Sequence, residues 1–235
     1  MIKIIDSHCH LPKTESFSDV FTRAQNKGIV GCILNAVTES DWNQIVNIAS
    51  ENKSVCCALG VHPWFADSVS SHWDSDLMAL MESNPKLLVG EIGLDKTRDN
   101  FDVQKNIFIH ALEIAIKYKR TINIHCVHAW DEMLKILKSY KPDLPKIVVH
   151  SFDGNQNVLD FDADLYFSYS PNITNPKFKR LMESVQRVPK NKILVESDSE
   201  NLLPTITAIN GVLSLRNDIT ANDIYNNALG VFYNG

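Results

Sequence analysis

Eight short apolar runs recur along the chain: KIIDSH, VGCILNAV, SVCCALGV, LLVGEIGL, TINIHC, KIVVHS, DLYFSYS and KILVES. Between them lie stretches such as FSDVFTRAQNKG, SDWNQIVNIASENK, FDVQKNIFIHALEIAIKYK and AWDEMLKILKSYK, where apolar residues return every three or four positions. Ile107, Ala111, Ile114 and Ala115 mark the buried stripe of the third of these, the spacing of one helix face. Ser40 and Asp41 before Trp42 read as an N-cap, and Pro142 and Pro145 stop a helix before KIVVHS. Continuous apolar strands that each lead into a helix predict a parallel sheet with helices over it. Eight such units in roughly 200 residues predict a single (β/α)8 TIM barrel rather than an open sheet. NPKFKRLMESVQRV, behind a proline-containing loop, reads as the weakest unit, the seventh. No linker or repeat divides residues 1–235, so one domain is expected.

In such a barrel the chemistry collects at the C-terminal ends of the strands. Following each run to its first polar residues gives Asp6, His8 and His10, then His62, then Glu91 and Asp95. The later runs give His125 and His128, His150, and finally Glu196 and Asp198. In an extended strand His8 and His10 share a face and Cys9 takes the other. A histidine after a strand is ordinarily a hydrogen-bonded loop residue, and an aspartate there an N-cap. Six of the eight histidines falling on one rim point instead to a metal site. Only His72 and His110 lie outside it.

The first and last strands of a closed barrel are neighbours, so His8, His10 and Asp198 can meet there. His125 and His150, on the fifth and sixth strands, form a second group, and Glu91 can bridge the two. Imidazole and carboxylate ligands without thiolate suit zinc, manganese, iron or magnesium. Two such ions about 3.5–4 Å apart clamp a hydrolytic water, and Asp198 is placed to take its proton.

Composition narrows the class. The chain has 235 residues, 44% hydrophobic and 22% charged, with a formal net charge of −5. No segment reads as a signal peptide or membrane span, so a cytoplasmic protein without membrane attachment is expected, as a monomer or weak oligomer. The five cysteines show no CxxC spacing and read as reduced, mostly buried thiols. Lys177, Lys179 and Arg180 read as the wet face of a helix rather than a nucleic-acid footprint.

DSHCH at 6–10, GVHP at 60–63, GEIGLD at 90–95, IHC at 124–126, HSFDG at 150–154 and ESDSE at 196–200 occur in this order. This series resembles the TatD family of metal-dependent hydrolases, within the amidohydrolase-like barrels, and NALGVF at 227–232 is similar to its closing segment. Glu91 stands where many other amidohydrolases carry a carbamylated lysine. The resemblance implies a divalent-metal phosphodiesterase, a DNase with 3′-to-5′ exonuclease character. It implies two ions (Zn, Mg or Mn), one on His8, His10, Glu91 and Asp198, the other on His125, His150 and the shared Glu91. Asp198 and Glu91 would be catalytic. His62, His128 and Arg98 would meet a nucleic acid or other phosphodiester substrate, with Glu196 and Asp95 as supports behind the ligands.

The chain departs from the family at three places near the substrate. Val127 replaces an arginine that commonly follows the fifth-strand histidine, and KTRDN follows GLD. NLLPTITAINGVLSLRND is short and lacks the RNEP-like segment usual after the eighth strand. A metal-dependent amidohydrolase, esterase or lactonase acting on a small molecule is therefore the alternative reading. A non-enzymatic scaffold would show lost ligands, and none is lost.

Overall fold

The expected alternation of strand and helix is realised around one sheet in the computed structural model, which describes residues 2–233. The strands are β1 (Ile4–Cys9), β2 (Ile29–Asn35), β3 (Val55–Leu59), β4 (Leu88–Asp95), β5 (Ile122–Val127), β6 (Ile147–Val149), β7 (Leu165–Tyr169) and β8 (Ile193–Val195). They pair in parallel in sequence order. The helices are α1 (Phe17–Gln25), α2 (Trp42–Glu51), α3 (Trp73–Ser83), α4 (Phe101–Tyr118), α5 (Trp130–Ser139), α6 (Gln156–Leu159), α7 (Lys179–Arg187), α8 (Pro204–Leu215) and α9 (Ala221–Phe232). No helix among the described residues is long and apolar enough to cross a membrane.

Helix faces and outward strand residues form the main core, to which α4 contributes Ile107, Phe108, Ala111, Leu112 and Ala115. A second, smaller core fills the lower barrel. Ile5, Ile33, Ala58, Leu88, Val148 and Leu194 meet Ala228, Val231 and Phe232 of α9, which stops the N-terminal mouth.

β8 and β1 close the barrel by a seam rather than a regular ladder. Asp198 N donates to His8 O at 3.0 Å and His10 N to Ser199 O at 3.0 Å. Asp6, fully buried, accepts from Ser197 N (3.0 Å), Thr205 Oγ1 (2.7 Å) and His8 N (3.2 Å). Burial pushes the Asp6 carboxyl up to about 7 against the donors from Thr205 and Ser197.

Two local expectations shift. Asp41 is the N-cap position of α2 but makes no capping bond to it; its carboxylate instead reaches back to the amides of Val37 (2.9 Å) and Thr38 (2.8 Å) and closes a capping box on the preceding 3-10 turn Glu39–Asp41. The shortest helix is α6, not the seventh unit's α7. SFDGNQNVLDFDAD has too few apolar residues to continue a buried stripe past Leu159.

Candidate metal centre

A β-bulge makes the opening motif work. The β1–β2 register shifts between Asp6 and Cys9, so consecutive residues Ser7 and His8 both reach the barrel interior, where regular alternation would separate them. Ser7 Oγ meets Ser168 Oγ at 2.5 Å, and His8 Nε2 meets Glu91 Oε2 at 3.2 Å. Cys9 points the other way, its Sγ 3.4 Å from Ile33 O. On the facing side β4 and β5 approach closely at Gly93, where a Cβ would lie 1.8 Å from His125 O. That approach sets Glu91 beside His125.

Glu91 is the hub. Its Oε2 faces His8 Nε2 (3.2 Å) and His10 Nε2 (3.7 Å). Its Oε1 faces His125 Nδ1 (2.7 Å), His150 Nε2 (2.8 Å) and His62 Nε2 (3.5 Å). Asp198 completes the first side, with Oδ1 3.7 Å from His10 Nε2 and 4.0 Å from His150 Nδ1.

These donors fit divalent cations. His8 Nε2 and His10 Nε2 lie 3.3 Å apart, and His125 Nδ1 and His150 Nε2 lie 3.2 Å apart. His10 Nδ1 donates to Asn35 O at 3.3 Å, which leaves a lone pair on Nε2 of the neutral ring, aimed inward. A proton bridges only two of these atoms, whereas a cation accepts both nitrogen lone pairs and the facing Glu91 oxygen at once. Four groups are close enough to hold an ion: His8, His10 and Asp198; His8, Glu91 and His150; His62, Glu91 and His125; and His150, Glu196 and Asp198. No thiolate joins them, and burial pushes the Cys126 thiol up, away from ionisation.

The electrostatics centre on Glu91. Burial opposes its charge, but His150, His8, His62 and His125 overcome that and hold the carboxyl well below its usual range. Asp198 is likewise held low, its burial outweighed by His10, His150 and His8. His10, His125 and His150 are raised, burial being outweighed by Asp198 and Glu91, by Asp95 and Glu91, and by Glu91 and Glu196 respectively. Protons and cations therefore compete for these rings. Burial lowers His8, and it brings His62 down to about 4.

The sequence profile described as "TatD related DNase" matches residues 5–211. The chain belongs to this family. It is 29% identical over 212 residues to the 3′-5′ ssDNA/RNA exonuclease TatD of Erwinia billingiae, covering 86% of this chain and 80% of that protein. It is 27% identical over 222 residues to the human 3′-5′ RNA nuclease TATDN2, covering 85% of this chain and 29% of that longer protein. The crystal structure of YJJV, a TatD homolog from Escherichia coli K12, has a TM-score of 0.88 at 24% identity, with 98% of each chain covered.

Around this candidate centre two carboxylates stand beside the histidine rings. Glu196, fully buried, accepts from Ser151 N and lies 3.5 Å from His150 Nδ1. Asp95 Oδ2 lies 3.6 Å from His125 Nε2 and accepts from Trp64 Nε1 at 2.6 Å, while Thr97 holds Oδ1. His62 caps the 3-10 turn Pro63–Ser68, its Nδ1 accepting from Trp64 N at 3.2 Å. Arg98 and His128 are exposed and outside the cluster; Arg98 lies 4.2 Å over the Trp64 ring, and His128 holds a left-handed φ of 54°. His72 pairs with Asp76 at the surface and His110 stacks on Trp73.

Two residues beside the candidate centre escaped the strand-end reading. Trp64 depends on Asp95, thirty-one positions away. Gln104, fully buried on α4, accepts from Asp95 N (2.7 Å) and donates to Asp95 O (3.0 Å). A glutamine three residues before Ile107, on the apolar stripe, is the signal that would have found it.

Proposed function

We propose that the protein is a divalent-metal-dependent nuclease that removes nucleotides from an end of single-stranded nucleic acid. The observation that carries this is the division of Glu91, one oxygen toward the His8–His10 pair and the other toward His125 and His150. Divalent cations bound here would supply the positive charge that displacement at phosphorus needs and would acidify water. His8, His10 and Asp198 would hold one ion and His125 and His150 another, with Glu91 reaching both groups.

The remaining steps belong to the chain's own side chains. His62 is neutral near pH 7, since burial lowers it to about 4. Its Nδ1 accepts from Trp64 N, so its proton sits on Nε2 and can be donated to a phosphoryl oxygen. Asp198, ionised and 34% exposed at its side chain, takes the proton of the attacking water. Asp95 and Glu196 hold the rings of His125 and His150 in orientation. The names of the Erwinia and human relatives, exonuclease and RNA nuclease, support a nucleic acid as substrate. Beyond the sequence departures around Val127 and after β8, the amide, ester or lactone alternative has only a shared fold behind it: a protein described as a probable 2-pyrone-4,6-dicarboxylic acid hydrolase from Acinetobacter baumannii matches at TM-score 0.68 and 11% identity.

The test is an end-labelled single-stranded oligonucleotide incubated with protein loaded with Mg²⁺, Mn²⁺ or Zn²⁺. A ladder growing from one end, stopped by chelator, is expected. Asp198→Asn should lower kcat by about 10²–10⁴. Intact oligonucleotides and simple phosphodiesters, alongside hydrolysis of a panel amide, ester or lactone, would overturn the reading.

A further inference from the structure

Of the large hydrophobic side chains exposed among the described residues, two are adjacent in sequence and stand at the candidate metal centre: Trp64 (46% exposed) and Phe65 (36%). Both ride on the 3-10 turn that His62 caps. Their rings approach the His62 ring edge-on, with centroids at 5.1 Å for Trp64 and 6.4 Å for Phe65. His62 in turn lies 3.5 Å from Glu91. The rings diverge from there. Trp64 is pinned through Nε1 to Asp95 and carries the Arg98 guanidinium over its face. Phe65 lines a cavity of about 820 Å³ that also reaches His10 and Asp198.

The two sides differ in charge. The cavity is edged by the carboxylates of Glu15, Asp41, Asp198 and Glu200; Glu15 is paired with Arg23 at 2.7 Å, and the lining's one lysine, Lys13, with Glu200 at 3.0 Å. That lining leaves no free cation for a further phosphate, which suits a single terminal nucleoside. On the other side Arg98 makes no ion pair among the described residues. An exposed aromatic ring held rigid by a hydrogen bond is a preorganised base platform, and an unpaired arginine beside it suits the next phosphate.

We propose that Trp64 and Phe65 are base-stacking platforms on either side of the scissile phosphate. Phe65 receives the terminal nucleoside in the cavity, and Trp64 with Arg98 receives the neighbouring nucleotide of the remaining strand. The proposal rests on the nuclease reading above and assigns its substrate contacts. Stacking requires bases free of a duplex, so the platforms select single strands.

The other three tryptophans, Trp42, Trp73 and Trp130, are buried at 3%, 5% and 7% exposure, so quenching of emission by an added oligonucleotide reports Trp64. Binding of a labelled phosphorothioate oligo-dT to metal-loaded protein gives the affinities. Quenching in the wild type is expected. Trp64→Ala should weaken binding roughly 5- to 150-fold, with Phe65→Ala also weakening it. Trp64→Phe should restore most of the affinity, since it keeps a ring while losing the bond to Asp95. Arg98→Gln should reduce the salt dependence by about 0.7 in log–log slope, one phosphate contact.

Equal loss in Trp64→Phe and Trp64→Ala would make Trp64 a positioning residue for Asp95 and overturn stacking. The base-free diester bis(p-nitrophenyl) phosphate separates the two readings. Its hydrolysis by the wild type, with unquenched emission and full-strength binding by both alanine variants, overturns the platforms and leaves the nuclease standing. Failure to hydrolyse either one, the diester and the oligonucleotide both staying intact, overturns both.

Discussion

The two mouths of the barrel are built from the same strands and by opposite rules. β1 sends Ile5 down into the apolar plug and His8 up to Glu91. At the bottom, α9 seals the mouth with Ala228, Val231 and Phe232, and the contacts are dispersive and non-directional. At the top, His8 Nδ1 and Glu196 Oε2 are buried without a hydrogen bond, and His125 Nε2 and His150 Nδ1 reach their carboxylates only at 3.6 and 3.5 Å. The non-glycine residues with left-handed φ also gather there: His128, Ser151 and Asp198 follow β5, β6 and β8. Only Lys119 (φ 53°) takes this conformation elsewhere among the described residues, as the C-cap of α4. Strain and unmet polarity concentrate where a ligand can repay them, and the apolar end carries the stability.

The sharpest way to break this comparison is Glu91→Gln, which keeps the shape and removes the charge. It should lower turnover by at least about 10³-fold and reduce bound metal, with the far-UV spectrum unchanged. Loss of fold together with activity would mean that the upper mouth is also structural. Phe232→Ala tests the other end. It should lower unfolding free energy by about 3–4 kcal/mol in denaturant titrations while kcat of the folded fraction holds. A large drop in kcat with little change in stability would invert the assignment.

The smallest expected effect is the pH dependence contributed by His62. Its pKa of about 4 in the folded chain lies below the ordinary 6.5. Between these values the unfolded chain binds the extra proton, so stability rises with pH across the window and is lost as pH falls from 6.5 toward 4. With chelator present, His62→Gln should flatten that slope by on the order of 2–3 kcal/mol over the window. An unchanged slope would assign the pH dependence to other groups.

Much of the upper mouth was legible in the sequence, because a parallel strand ends its apolar run where it leaves the core. Glu91, His125, His150 and Asp198 announce themselves as the first polar residues after such runs, and barrel order makes neighbours of β1 and β8. What stayed hidden depends on angles and distant partners. The bulge that turns His8 inward has no sequence mark beyond the motif itself. Asp6 stood in the same strand-end list as His8, yet it faces Ser197 and Thr205 instead of the centre. Trp64 reads as one more aromatic until Asp95 and Arg98 are seen around it. The shortness of α6 has no strong mark in the sequence, because the sixth strand before it is clear and only Val158 of its four residues is buried.

The seam at Asp6 has a consequence during synthesis. Its partners Ser197 and Thr205 lie 191 and 199 residues downstream. A ribosome making the chain at about 5–20 residues per second releases the first strand many seconds before the last one exists. For that interval His8, His10 and Glu91 are present without Asp198 or a closed wall. A nascent chain can therefore meet a cation before it has a barrel. Order of emergence, as much as affinity, would then decide which ligands meet it first.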